Sequence, residues 1–281
     1  MKPLIPCAAM TCLLGTLACS GESPVGPSVN ERPLHARGAP LTVMSQNMYV
    51  GADLDALIGA LLGGGDPGLA LTLAVGELLA NNLELRIAGM ADQILLQRPQ
   101  VIALQEVSAI RVELPVPPFP FPTPVSIAQD FLAQLLEALA ARGLHYQVAA
   151  ANENFTIDLT AVFGVPVRLT DREVLLVSPD IQVRSASNGT FPCPLCMPLG
   201  LFTIQRGWVR ADIRVASKDM TIVATHPESG TGDAVTQLRT AQIGALIDML
   251  ASAGDPVVLL GDLNDRPRQP DVRRAAAGGV S

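Results

Sequence analysis

The sequence predicts an α/β domain built as two packed β-sheets with helices on their outer faces. Helix-like and strand-like segments interleave near both ends of the chain, while the middle reads as a series of hairpins. That order suits two sheets better than a single parallel sheet. Hydrophobic residues form 49% of the 281 and charged residues only 16%. Such a chain has ample material for a core and too little charge to be disordered. Beyond the amino terminus, no apolar run is long enough for a membrane-spanning helix, and no internal repeat is visible.

Residues 1–18 read as an export leader: Lys2 supplies the positive start, and Leu4 to Ala18 is apolar and free of acids. The ending Gly15-Thr16-Leu17-Ala18-Cys19 resembles a permissive bacterial lipobox, with Thr16 where leucine is usual. Cys19 is therefore a lipidation candidate, and an ordinary cleaved leader is the alternative. A lipid there predicts a cell-envelope lipoprotein attached to a membrane without a spanning helix; without it the protein is secreted. Residues 19–40 are polar and broken by proline, a disordered tether, leaving 41–281 as the folded domain.

Leu41 to Asn47 alternates apolar and polar residues and predicts the first strand. Helices are expected over Asp53–Leu62 and Gly68–Gln97, the second carrying leucines and isoleucines near helical period until Pro99 stops it. Val101–Gln105 is a short apolar run, the mark of a covered strand. Pro115–Pro124, with Phe119 and Phe121, cannot join a ladder and predicts a surface loop, either a spacer or a rim of a cleft. Ile127–Arg142 predicts an amphipathic helix closed by Gly143. Strands follow around 145–151, 155–170, 172–177, 182–185, 201–215 and 220–225. A helix over Val235–Ala251 and a buried strand over Val257–Leu260 complete the series. The apolar stretch Leu54–Leu85 is longer than its connection requires, and it reads as a core-packing insertion or a lipid contact.

Cys193 and Cys196 are the cysteines left after the leader and Cys19. Their Cys-x-x-Cys spacing lacks a second pair for zinc and lacks the strand–motif–helix setting of a redox protein. A local disulfide pinning a loop is expected in an oxidising compartment.

Four abrupt polar groups end apolar strands: Ser45-Gln-Asn47, Gln105-Glu106, Thr225-His226 and Gly261-Asp262-Leu-Asn264. A carboxylate just past a buried strand needs a cation, hydrogen bonds or solvent. Oxygen ligands of this kind suit Mg²⁺. Read singly, Asn47 and the Asp262–Asn264 pair are also turn residues, Glu106 a cap and His226 a packed loop histidine. Arg206 and Arg210, near Trp208, read as a solvated face or as phosphate contacts.

Taken together with Asp171-Arg-Glu173, these motifs resemble the ordered set of the endonuclease/exonuclease/phosphatase superfamily, which includes DNase I, abasic-site endonucleases, sphingomyelinases and inositol polyphosphate phosphatases. The resemblance runs from about Leu41 to Pro270. It implies a four-layer α/β sandwich of two mixed sheets flanked by helices, DNase I-like, and Mg²⁺-dependent hydrolysis of phosphate esters, with Mn²⁺ or Ca²⁺ as alternatives. By that likeness Glu106 is the principal metal ligand, and Asn47 holds metal or phosphate. Glu173 supports a catalytic histidine, or is part of a solvated turn. His226 contacts the scissile phosphate and protonates the leaving group, Asp262 orients or activates water, and Asn264 binds phosphate.

The family pattern closes with a Ser-Asp-His motif on a last strand, and no histidine follows His226 here. The expectation is a member truncated at its carboxyl end, with its last strands missing. Two functions are thus expected: an exported Mg²⁺-dependent phosphoesterase, or a catalytically disabled, lipid-tethered domain that binds a phosphate ester or a partner. The expected substrate is a nucleic acid, a phospholipid headgroup or a small phosphodiester, acted on by a monomer. With two lysines and a net charge of −7, strong binding to long duplex DNA is disfavoured.

Overall fold

A computed structural model describes residues 41–251, 253 and 256–265. The leader, the tether with Cys19 and the segment after Asp265 lie outside the described residues.

The first sheet opens with β1 (Val43–Asn47) parallel to β2 (Val101–Gln105), the latter buried along its length. β3 (Ala109–Leu114) and β4 (Val125–Asp130) form an antiparallel hairpin. β5 (Gln147–Asp158) runs antiparallel to β6 (Val167–Val177) along one edge of β6. The other edge of β6 is shared, its first half pairing with β3 and its second half with β2. β7 (Gln182–Thr190) belongs to the second sheet, and β8 (Met197–Pro198) and β9 (Thr203–Ile204) form a small separate pair. β10 (Gly207–Val215), β11 (Lys218–Thr225) and β12 (Val257–Gly261) complete the second sheet in the order β12-β11-β10-β7. Among the described residues only the β11–β12 pair of that sheet is parallel.

The helices are α1 (Leu54–Gly59), α2 (Pro67–Ala80), α3 (Leu83–Gln97), α4 (Phe131–Ala140), the short α5 (Thr160–Phe163) and α6 (Asp233–Leu250). Val101, Ala103, Leu175 and Val177 of the first sheet meet Val209, Ala211, Ile222 and Ala224 of the second, forming the inner layer of a sandwich. Alternate residues of the same strands, such as Ile102, Leu104, Val174 and Leu176, face outward. They join Ile87, Ile94, Leu135 and Leu139 of α3 and α4 in the largest core cluster. On the far side Leu246 of α6 clusters with Val223 and Phe191. The layers are helix, sheet, sheet and helix, the four-layer arrangement expected.

Several elements differ from expectation. The helix predicted over 68–97 is two helices, because Asn82 interrupts it: its side-chain oxygen accepts from the Leu85 N–H at 3.1 Å and caps α3. Asp66 caps α2 in the same manner, with Pro67 in its first turn. The helix predicted from Ile127 starts at Phe131. Val125 and Ile127 are buried and alternate with exposed Ser126 and Ala128, a two-residue period that seats them in the hairpin. Asp130 ends that strand and caps α4 through the Ala133 N–H. Residues 53–62 divide into α1 and a π-helical turn over Ala60–Gly64. Among the described residues β12 is an edge strand, with Val257 and Leu259 each 37% exposed, instead of a buried one. In the proline-rich loop Phe119 is buried in the outer core, and no residue of 115–124 lines the cleft described below.

Gly261 ends β12 with φ at +146°, and a Cβ there would lie 2.0 Å from the Thr225 carbonyl oxygen. Gly261→Ala is therefore expected to destabilise the fold by roughly 2–4 kcal/mol. Urea unfolding checks this, and a midpoint equal to that of the wild type would contradict it.

Candidate active site

The two parallel pairs, β1–β2 and β11–β12, end along the same edge of the sandwich, where β1 approaches β12. Their last residues are followed by the polar groups singled out in the sequence. The Asn47 side-chain amide donates to Glu106 Oε1 at 2.8 Å and to Asp262 Oδ2 at 3.1 Å, so one nitrogen joins carboxylates from both sheets. Asn47 Oδ1 accepts from the Tyr49 N–H at 2.8 Å, and Glu106 Oε2 accepts from the Val50 N–H at 2.9 Å. Arg86 of α3 secures this turn by donating to the Met48 and Tyr49 carbonyls at 3.1 and 2.8 Å. Tyr49, Glu106 and Asn264 hold positive φ angles of 59°, 53° and 52°. Glutamate and tyrosine adopt that backbone at a cost, and such strain concentrates where a site dictates side-chain direction.

His226 is 2% exposed, and its Nε2 faces Asp262 Oδ2 at 3.9 Å. Its Nδ1 lies 3.5 Å from an Arg206 guanidinium nitrogen. A guanidinium only donates, so Nδ1 accepts and the ring proton resides on Nε2, on the Asp262 side. Burial, aided by the Arg206 charge and opposed by Asp262, pushes the imidazole pKa down to about 3. The ring is thus neutral at physiological pH, and NMR of the metal-free protein is expected to show no titration of His226 between pH 5 and 8. A midpoint near 6.5 would contradict this environment.

Asn264 and Asp262 form a compact turn: the Asn264 N–H donates to Asp262 Oδ1 at 3.1 Å, and its side-chain amide donates to the Pro227 carbonyl at 2.9 Å. The loop after β12 is thereby tied to the loop after β11. Both the turn and the convergence on the site are realised by the same residues.

Behind this edge lies a buried group of charges. Arg206, 6% exposed, donates to Glu228 at 3.1 Å. It is a buried residue, which corrects the solvated face expected for it. Arg210 instead pairs with Asp212 at 2.8 Å in a part-exposed setting. Asp171 accepts from the Asn154 amide at 2.9 Å, and burial pushes its pKa up to about 6 despite Arg206 and Asn154. Glu173 is 0% exposed and is no solvated turn. Burial first, then the neighbouring Asp171, raises its pKa well above the carboxylate range. Among the described residues neither oxygen has a hydrogen bond of ordinary length, although the His226 backbone and the Asn154 amide both favour its charge. The ring nitrogens of His226 meet Arg206 and Asp262, so Glu173 reaches this histidine through the backbone. Burial alone would lower the Arg206 pKa, but Glu228, Asp171 and Glu173 outweigh it and hold the guanidinium above its usual value.

Of these groups Asp171, Arg206 and Glu228 line a cleft of about 640 Å³, together with Tyr49 and Glu106 and with the apolar Met197, Leu199 and Ile204. Those apolar residues follow a disulfide between Cys193 and Cys196, whose Cα atoms are 4.9 Å apart. Gln242 of α6 holds the same loop through the Leu195 carbonyl at 3.0 Å and accepts the Glu228 N–H at 2.8 Å.

Among the described residues no three His, Cys, Asp or Glu side chains gather into a closed cage. A donor set of this kind still fits Mg²⁺, which keeps several waters and takes one or two carboxylates plus phosphate oxygens. Glu106 uses one hydrogen bond on each oxygen, which leaves acceptor capacity facing the cleft. Asp262 is 40% exposed beside it.

The sequence reading placed Arg206 on a solvated face or at a phosphate, not in a buried ion pair, and did not single out Glu228 or Gln242. No mark in the sequence set Arg206 apart: the tight packing at the neighbouring Gly207, where a Cβ would lie 2.3 Å from the Gly189 carbonyl oxygen, appears only in the structure. Glu228, two residues past His226, carried no mark either.

Solved structures of similar fold include an endonuclease/exonuclease/phosphatase from Beutenbergia cavernae, 23% identical with a TM-score of 0.47 over 66% of this chain and 44% of that one. A family protein from Leptotrichia buccalis is 17% identical, with a TM-score of 0.43 over 63% of this chain and 59% of that one. A mannosyl-6-phosphatase from Bacteroides thetaiotaomicron is 13% identical, with a TM-score of 0.44 over 82% and 67%. The chain thus spans about half the length of the first two. No curated protein matches the sequence significantly. The sequence profile of the Endonuclease/Exonuclease/phosphatase family, however, matches residues 45–281. With most of its length so matched, this chain belongs to the Endonuclease/Exonuclease/phosphatase family.

Proposed function

We propose that the protein is a divalent-metal-dependent phosphoesterase, exported and held at a bacterial membrane by a lipid on Cys19. The observation that carries the hydrolytic reading is the convergence of Glu106 and Asp262 on the single Asn47 amide, with His226 facing Asp262. Glu106 holds Mg²⁺, with Mn²⁺ or Ca²⁺ as alternatives, and Asn47 fixes the spacing of the two carboxylates. When bound, the cation supplies Lewis-acid neutralisation of phosphate charge.

The chain's own groups manage the rest. Asp262, the more exposed partner, orients an attacking water and takes its proton. His226, neutral and protonated on Nε2, donates a hydrogen bond to a phosphate oxygen; its low pKa disfavours an imidazolium acid. Asn264 shapes the loop and offers its second amide hydrogen to phosphate. Arg206, fixed by Glu228, adds positive charge on the cleft side. Glu173, beside the His226 backbone, is a positioning residue. Export draws support from the leader pattern, and the disulfide suits an oxidising compartment.

The test is hydrolysis of bis-p-nitrophenyl phosphate by the purified protein with Mg²⁺, Mn²⁺ or Ca²⁺. Turnover that EDTA removes and added metal restores is expected. A folded protein inert with all three cations would sink the enzymatic reading and leave a phosphate-binding domain in its place.

A further inference from the structure

We infer that the substrate is a phosphoester carrying an aliphatic chain, whose first methylenes enter an apolar slot between the α1–α2 segment and the outer face of the first sheet. This rests on the phosphoesterase reading and adds a substrate class to it. The slot is walled by Leu57, Leu71 and Val75 from the helices and by Ile110, Val112 and Val167 from the sheet. The surface it presents is apolar throughout.

Its position ties it to the chemistry. Val50, Leu54, Ile58, Ile157 and Leu169 line both the slot and the polar cleft, so the two are adjoining halves of one depression. Val50 links them directly: its N–H donates to Glu106 Oε2 at 2.9 Å, and the same residue lines the slot. A phosphate held at Glu106 therefore has a substituent at the slot mouth. A nucleoside or sugar placed there would lose water from its polar edges without recovering hydrogen bonds. A methylene removed from water gains about fourfold in affinity.

The slot is narrow, about 50 Å³, below the roughly 150 Å³ of an apolar cavity that admits benzene. Entry must part the helices from the sheet, and the local backbone suits that motion. α1 passes into the π turn over Ala60–Gly64, and Gly63, Gly64 and Gly65 separate it from α2, with Gly63 at φ +94°.

The outer side of the same segment matches an amphipathic substrate at a lipid surface. Leu62, Leu69, Leu73 and Leu79 are each more than half exposed, and no Lys or Arg occurs from Gly51 to Leu85. Apolar side chains on both faces of one helix, beside a cleft mouth, suit an interface between water and hydrocarbon better than bulk water.

The test measures binding of methyl, butyl and octyl phosphate to the full chain with Mg²⁺ by calorimetry, below the concentration at which octyl phosphate self-associates. Butyl phosphate is expected to bind at least about tenfold more tightly than methyl phosphate. Ala74→Leu and Leu61→Phe, which fill the slot without touching the polar residues, are expected to bring that ratio towards one while methyl phosphate affinity stays unchanged. Equal affinities for the three ligands, or no binding of any, would overturn the inference. So would a chain-length gain that survives both substitutions. Independently of folding in either variant, NOEs from octyl methylenes to Leu57, Leu71 or Val75 methyls are expected in the wild type. NOEs confined to exposed Leu69 and Leu73 would overturn it. Metal-dependent turnover of a soluble diester without chain-length preference removes the slot and leaves the enzyme; chain-length-dependent binding without turnover does the reverse.

Discussion

Glu106→Ala is expected to lower metal-dependent kcat/KM by about a thousandfold while leaving the fold intact. Glu106 is part-buried at the end of β2, and among the described residues its carboxylate accepts hydrogen bonds from the Asn47 amide and the Val50 N–H. Losing it leaves two donors near a solvent-filled cleft, a modest structural cost. It removes the carboxylate placed to hold a cation. Glu106→Gln separates the contributions: an amide oxygen still accepts one of the hydrogen bonds, but the charge is gone. Comparable losses in both variants, with unfolding midpoints near that of the wild type, would attribute the effect to charge. Turnover within a few-fold of wild type in Glu106→Ala would remove this residue from the chemistry.

Arg206→Met is expected to cost about 3–5 kcal/mol of stability near neutral pH, because it strips the cation from a buried group of acids. Glu228 loses its ion pair at 3.1 Å, and Asp171 and Glu173 lose the charge that holds their pKa values down. The loss depends on pH, with a definite sign. An acid whose folded pKa lies above its unfolded value keeps its proton longer in the folded state, so stability falls as pH rises between the two values. In the wild type this window for Asp171 runs from about 3.8 to about 6. In Arg206→Met it extends upward, so the variant is expected to be less impaired at pH 5 than at pH 8. Urea unfolding at both pH values reads this directly, and an equal deficit at both would contradict the proposed coupling. Glu228→Gln provides the converse, a smaller loss in which the remaining acids still neutralise the guanidinium.

The residues that ended strands abruptly were legible because burial and polarity collide there. Asn47, Glu106, His226 and Asp262 each follow an apolar run, and parallel pairing of β1 with β2 and of β11 with β12 brings their ends to one edge. Less legible was anything decided by tertiary competition. Val125 to Asp130 has residues that a helix tolerates, yet pairing with Ala109–Leu114 claims them for a hairpin. Asn81 and Asn82 broke one apolar helix into two through a side-chain cap that periodicity does not register. Arg206 looked like surface because arginine usually is. It is buried because Glu228, 22 residues further along the chain and fixed by Gln242 of α6, arrives from beyond the next strand to neutralise it.

Cation binding at the shared edge of the two sheets tests the proposed centre most directly. Mn²⁺ titration followed by electron paramagnetic resonance, with inorganic phosphate present, reports occupancy without requiring turnover. One site is expected in the wild type, displaced by Mg²⁺, lost in Glu106→Ala and weakened in Asp262→Ala. The same stoichiometry and affinity in Glu106→Ala as in the wild type would contradict a metal centre at this position.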